Sequence, residues 1–242
     1  MAGRAKRPAM RRPAKTSGLP GQFTPASGYP PEAPCSCRRC PRLAGFLDLQ
    51  RASEPEWFNA PVPSFGQEGA RLLVVGLAPG LRGANRTGRP FTGDYAGDLL
   101  YSTLLRYRFA AGTYAAHPCD GLQLVDCMIT NAVRCVPPEN KPTNEEIATC
   151  RPYFAARLSA LPNLRAILAL GRIAHDQTLA TLGLKKSAYP FAHGARHDIG
   201  PTLTLFDSFH CSRYNTNTGR LTEAMFHAVF DAIRAELERT RI

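Results

Sequence analysis

Four short apolar runs punctuate the chain, and each is followed by a polar loop and then by a segment with helical spacing. Residues 71–75 form the first run, closed by the turn Gly76-Leu77-Ala78-Pro79-Gly80. Residues 126–130, 165–170 and 202–206 form the other three. Between them, residues 95–109 carry Leu100, Leu104 and Leu105 on one helical face. Thr143-Asn144-Glu145-Glu146 reads as a capping box, Thr at N-cap and Glu at N3, opening a helix towards Leu158. Near the C-terminus Met225, Phe226, Val229, Phe230, Ile233 and Leu237 recur at helical spacing. Continuous apolar strands alternating with helices predict a parallel sheet covered on both faces. The expected fold class is therefore α/β, a three-layer α/β/α arrangement around a central, mainly parallel four-stranded sheet. In such a fold ligands bind beyond the carboxyl ends of the strands. The polar loops that follow the strands are thus the places to look for chemistry.

Residues 1–34 break this pattern, with seven prolines, little apolar content and six basic residues against the single acid Glu32. They are expected to be a disordered basic tail, leaving residues 35–242 as one domain. The whole chain of 242 residues is 44% apolar, enough for a sizeable core, and carries a net charge of +11. Tail (+5) and domain (+6) are both basic, which favours a polyanionic partner, nucleic acid first and an anionic membrane surface second. No run approaches the roughly 20 apolar residues of a membrane span, and no apolar stretch follows the basic first residues as in a secretion signal. A cytoplasmic setting is expected, in which eight cysteines point to metal binding or chemistry ahead of disulfides.

Cys37-Arg38-Arg39-Cys40 is a C-x-x-C pair, and Cys135 and Cys150 stand alone further on. A close pair with two distant single cysteines suits a four-cysteine site, either tetrahedral zinc or a cubane cluster. Cys35 competes with Cys37 as first ligand. Cys119, Cys127 and Cys211 read as ordinary small, buried residues.

Three loops hold the other candidates. Residues 76–94, GLAPGLRGANRTGRPFTGD, lack a dinucleotide or P-loop pattern, but their glycines allow close backbone approach to a ligand. Within them Phe91 offers a stacking face, and Asp94 is either the N-cap of the next helix or a reacting carboxylate. Residues 131–141, NAVRCVPPENK, supply Asn131 and Asn140, whose amides can read a nucleobase edge; Asn140 is equally suited to a plain turn. Residues 209–220, FHCSRYNTNTGR, put His210 just past a strand, followed by Ser212, Thr216 and Thr218 for phosphate and Arg213 or Tyr214 for a groove.

These three blocks, extended to NAVRCVPPENKPT and FHCSRYNTNTGRLT, closely resemble the signatures of the family 5 (type B) uracil-DNA glycosylases, and the similarity runs from about Cys37 to Val229. The resemblance implies the α/β/α uracil-glycosylase fold, a 4Fe-4S cluster on Cys37, Cys40, Cys135 and Cys150, and removal of uracil from double-stranded DNA with tolerance of hypoxanthine and xanthine. It implies catalytic roles for Asp94, His210 (at uracil O2) and Asn140. Contacts to the substrate would come from Gly76, Leu77, Ala78, Phe91, Asn131, Ser212, Arg213 and Asn215, with Asn131 and Asn140 both open as base reader. Arg213, Tyr214 and Leu81 all qualify to fill the gap in the base stack. The blocks hold no lysine before residue 140, which argues for a monofunctional enzyme without an imine-forming lyase step. A family 4 (type A) enzyme would carry an acid where Leu77 stands. A non-catalytic iron–sulfur nucleic-acid-binding protein, or a zinc-bearing nucleotide hydrolase, would use the same cysteines and charge. A nucleoid-associated monomer is the expected form.

Overall fold

The computed structural model describes residues 28–239. Its strands are β1 (Phe65–Gly66), β2 (Leu72–Gly76), β3 (Ala110–Ala111), β4 (Gln123–Leu124), β5 (Cys127–Asn131), β6 (Ala166–Leu170), β7 (Arg196–Asp198) and β8 (Thr204–Ser208). Its helices are α1 (Pro41–Ser53), α2 (Ala84–Thr87), α3 (Tyr95–Arg106), α4 (Asn144–Ser159), α5 (Arg172–Thr181), α6 (Arg213–Asn217) and α7 (Glu223–Arg239). The main sheet runs β1-β5-β2-β6-β8-β7, with β5, β2, β6 and β8 mutually parallel and the two edges antiparallel. The expected four-stranded sheet is thus a six-stranded one. Its four central strands are the four apolar runs: three are shifted by one or two residues towards the C-terminus, and β6 starts one residue late. The added edges, of two and three residues, are too short to impose a hydrophobic period. A separate antiparallel pair joins β3 to β4.

Every residue of β2, β5, β6 and β8 is buried, so these strands read as unbroken apolar runs rather than alternating ones. Successive residues nevertheless point to opposite layers. Leu72, Val74, Ile129, Leu168 and Phe206 pack with Leu100 and Leu104 of α3 and Phe226 and Phe230 of α7. Leu73, Val75, Ile167 and Leu205 pack with Phe154 and Leu158 of α4 and Leu179 of α5. Three layers follow directly. The capping box of α4 forms as expected, with Thr143 and Glu146 each accepting from the other's backbone amide.

A third cluster joins Leu43 and Leu47 of α1 to Val133, Val136 and Ile147, beside the cysteines. Most of the segment read as tail, residues 1–27, lies outside the described residues. Residues 28–34 pack on the domain. Glu32 accepts from the Arg157 guanidinium at 2.7 Å and pairs with the fully buried Arg134 at 3.2 Å, while Tyr29 meets Tyr153 edge-on. A buried arginine without a counter-charge is costly, which is why this acid sits against the fold.

Candidate active site

The four parallel strands end on one side of the molecule, and the loops leaving β2, β5 and β8 enclose a cavity of about 620 Å³ there. Its wall draws Leu77, Ala78 and residues 79–84 from the first loop with Phe91, Asp94 and Tyr95. Asn131 and Asn140 come from the second, and His210, Ser212 and Arg213 from the third. Nine of the eleven non-cysteine candidates therefore line one cavity, all but Gly76 and Asn215.

Gly76 ends β2 behind the wall. A Cβ there would lie 2.3 Å from Asn131 Oδ1 and 2.7 Å from the Phe91 ring, so glycine lets both side chains close in. Asn131 is the last residue of β5, 3% exposed, and its Oδ1 has no hydrogen-bond partner. Asn140 instead sits exposed at the rim, after Glu139 in the left-handed region, both with φ near 55°. The third loop departs from expectation at Asn215, which does not line this cavity: its Nδ2 donates to the His210 carbonyl at 2.8 Å. The Thr216 and Thr218 hydroxyls donate to carbonyls of their own helix, to Ser212 and Tyr214. Ser212 caps α6 without a side-chain bond, which leaves its hydroxyl free.

Of the two roles open to it, Asp94 visibly fills that of helix cap. Its Oδ1 accepts from the Gly97 amide at 3.1 Å as the N-cap of α3. Its other oxygen turns towards Gly80 and Gly83, where a Cβ would come within 3.2 and 2.3 Å. Burial pushes this carboxyl above its ordinary range, opposed by the Gly97 and Ala96 amides. His210 faces the cavity with intermediate exposure, and burial lowers its pKa to about 4. The imidazole is therefore neutral at pH 7, able to donate from one nitrogen. It stacks against Phe91, with centroids 5.8 Å apart and planes at 30°. Phe91 itself is buried at φ 52°, a conformation that costs a side-chain-bearing residue about 1–3 kcal/mol and clusters at functional sites.

Cys37, Cys40, Cys135 and Cys150 surround a second, small cleft with Leu43, Val133 and Tyr153. Cys40 precedes α1, Cys135 follows β5 and Cys150 lies in α4. Cys35 is exposed and outside this cleft, which leaves the competition to Cys37. Burial, with Cys150, Glu146 and Cys37 nearby, pushes the Cys40 thiol up to about 11, and burial raises Cys135 and Cys150 as well. Such a set gathers mutually repelling thiolates that a cationic centre would stabilise. The Arg134 amide donates to Cys150 Sγ at 3.4 Å, the kind of bond that tunes a ligating sulfur. Soft donors converging in an apolar shell fit an iron–sulfur group or zinc by chemistry. Cys127 and Cys211 are fully buried as expected, whereas Cys119 is exposed.

A cavity with a neutral imidazole, a carboxylate and two amides in its wall, at the carboxyl edge of a parallel sheet, stands where an α/β enzyme holds its ligand. Comparison with known proteins narrows the class: a family model described as "Uracil DNA glycosylase superfamily" matches residues 63–234. The chain belongs to the uracil-DNA glycosylase superfamily, in its type-5 branch. A Type-5 uracil-DNA glycosylase of Thermus thermophilus is 48% identical over 79% of this chain and 89% of its own. Namesakes from Mycobacterium leprae (41%; 80% and 88% covered) and Pyrobaculum aerophilum (38%; 77% and 83% covered) are also similar. Among the described residues no helix is long and apolar enough to cross a membrane.

Proposed function

We propose that the protein excises uracil from DNA by hydrolysing the N-glycosidic bond, leaving an abasic site, and that Asp94, His210 and Asn140 carry the reaction. Type-5 relatives along four-fifths of the chain support the activity. The observation that carries the residue roles is the neutral His210 beside Phe91 and Asp94 in one cavity.

A uracil inside a duplex must be everted to reach such a cavity, at a cost of a few kcal/mol that is smallest for mispairs. Exposed Arg82 and Arg213 at the rim, free hydroxyls such as that of Ser212 and the net charge of +11 favour the phosphates on either side. The everted ring stacks on Phe91. Asn131 reads its edge at the floor, where a buried acceptor awaits a donor, and Asn140 closes on it from the rim. As the C1′–N1 bond breaks, its electron pair moves into the ring and onto O2, and the sugar becomes cationic. His210 donates a hydrogen bond to O2 where that charge develops. Asp94 stabilises the cation and orients the water whose oxygen bonds to C1′, its released proton passing to the carboxylate or to solvent. Among the described residues no lysine lines the cavity, which favours hydrolysis without a lyase step. The cavity volume also leaves room for the larger hypoxanthine and xanthine.

Cys37, Cys40, Cys135 and Cys150 would hold a 4Fe-4S cluster, which would supply a structural tie between α1, the loop after β5 and α4. Protein purified without oxygen should be brown and contain iron and sulfide; zinc in their stead would refute this assignment. The activity is tested by incubating the full chain with duplex carrying a single G·U pair and measuring free uracil and abasic strand. Intact substrate after prolonged incubation with folded protein would overturn the proposal.

A further inference from the structure

The strained backbone at Phe91 is gripped from behind by side chains that do not line the cavity. The Tyr101 hydroxyl donates to the Pro90 carbonyl at 2.6 Å, and the Tyr114 hydroxyl donates to the Phe91 carbonyl at 3.4 Å. The two tyrosine rings stack on each other, 4.5 Å between centroids. Gly97 of α3 lets the Phe91 carbonyl approach so closely that a Cβ there would lie 1.9 Å from its oxygen. On the N-terminal side Arg89, 4% exposed, holds Asp120 with two parallel bonds of 2.8 and 2.7 Å and gives its Nε proton to Thr92 Oγ1 at 2.7 Å. Its guanidinium lies against the rings of Phe65, Tyr101 and Tyr114 at 5.2 to 5.8 Å. Asp120 is fastened in turn by the amides of Ala115 and Leu122 at 2.9 and 3.1 Å.

Residues 89–92 are thus pinned on both sides to α3 and to the segment 114–122. The pins converge on Phe91, whose ring lies in the cavity wall stacked against His210. We propose that Arg89, Asp120, Tyr101 and Tyr114 are positioning residues that preset Phe91 as the stacking platform for an everted base. A platform ordered beforehand removes the cost of ordering it at capture, and that gain is realised only with a base in the cavity. The inference rests on the base-excision reading and deepens it.

A double-mutant cycle separates positioning from general stability. Full-length Asp120→Asn, Tyr114→Phe, Phe91→Ala and the two pairs with Phe91→Ala are compared in single-turnover uracil excision from a G·U duplex. Affinity for the same duplex with an abasic site, which offers no base to stack, is measured alongside. Expected are rate losses of about tenfold for Asp120→Asn and about threefold for Tyr114→Phe, since small misplacements near a reacting group are costly. Abasic-duplex affinity should stay within about twofold, and neither change should slow the Phe91→Ala enzyme further. Losses that multiply with that of Phe91→Ala, or that appear equally in abasic-duplex affinity, overturn the inference. Tyr114→Phe removes one oxygen only, so it carries the test even where the loss of the Asp120 charge disturbs folding. Full activity in Phe91→Ala sinks the platform while leaving base excision intact, whereas no uracil release by the unaltered protein is the separate failure of that reading.

Discussion

The wall formed by residues 77–94 and the wall formed by residues 209–220 meet at one cavity but are held by different means. The first is tied to distant parts of the chain. Asn85 bonds Asn59 at 2.8 Å, the Phe58 and Asn59 amides reach the Arg86 and Asn85 carbonyls, and Arg89 reaches Asp120. Beyond Cys211 the second wall is largely solvent-facing, with Tyr214 71% exposed; its side-chain hydrogen bonds are local (Asn215 to His210, Thr216 to Ser212, Thr218 to Tyr214), and its long-range side-chain contact is the Arg213 guanidinium over the Tyr95 ring. Long-range ties fix a shape, whereas local ties leave a segment able to yield. The rigid wall suits the unvarying ring of a base, and the yielding one suits a sugar–phosphate backbone that bends as the nucleotide leaves the stack. His210 sits where the two meet, fixed by β8 on one side and stacked on Phe91 on the other.

The sharpest way to break this comparison is to remove the groups at the junction. His210→Ala should lower the single-turnover rate by about 10²–10³-fold, as for other lost donors to a developing anion. Asp94→Asn should match it with an unchanged melting temperature, because the amide oxygen can still accept from Gly97; equal rates in both variants and the parent would contradict the assignments. Next comes Gly83→Ala. Its methyl group would intrude on the Asp94 carboxylate from the rigid wall and cost up to about 10²-fold in rate, with DNA affinity unchanged. A tolerated methyl would show that this wall gives way.

The pH profile is a smaller effect with a defined sign. Asp94, raised by burial, must be ionised, so the rate should climb through an acid limb lying above the ordinary carboxylate range. His210, lowered to about 4, is neutral throughout the neutral range, so the rate should be flat from about pH 6 to 8 in excision assays at constant ionic strength. A limb at the ordinary histidine position would mean that the imidazole titrates in reach of water. The smallest effect belongs to the yielding wall. Arg213→Ala should weaken duplex binding several-fold, reduce the slope of log affinity against log salt by about one, and leave the chemical step alone.

Much of the architecture was legible because the four central strands are buried on both faces, and a continuous apolar run is what such burial demands. The edges β1 and β7 were not, since with two and three residues and no fully buried position in either they leave no periodic trace. The three loops were recognisable as blocks of unusual residues, within which Asp94 stood out as the one acid between Arg71 and Tyr95 and His210 by its place just past a strand. Asn131 against Asn140 could not be weighed from the chain alone: both are amides in one loop, and burial separates the floor from the rim. The Arg89–Asp120 pair was equally invisible, because 31 residues separate its members and neither lies in a periodic element.

Residue order by itself determined the layering, the strands' direction, the loops that bear chemistry and the cysteines available to a metal, since hydrophobic period and local turn chemistry act over a few neighbours. Tertiary packing alone decided which side chains share a cavity, how far water is kept from Asp94 and His210, and what holds Phe91 in place. Those properties depend on distances between segments remote in the chain, and desolvation exists only once the segments have closed around one another.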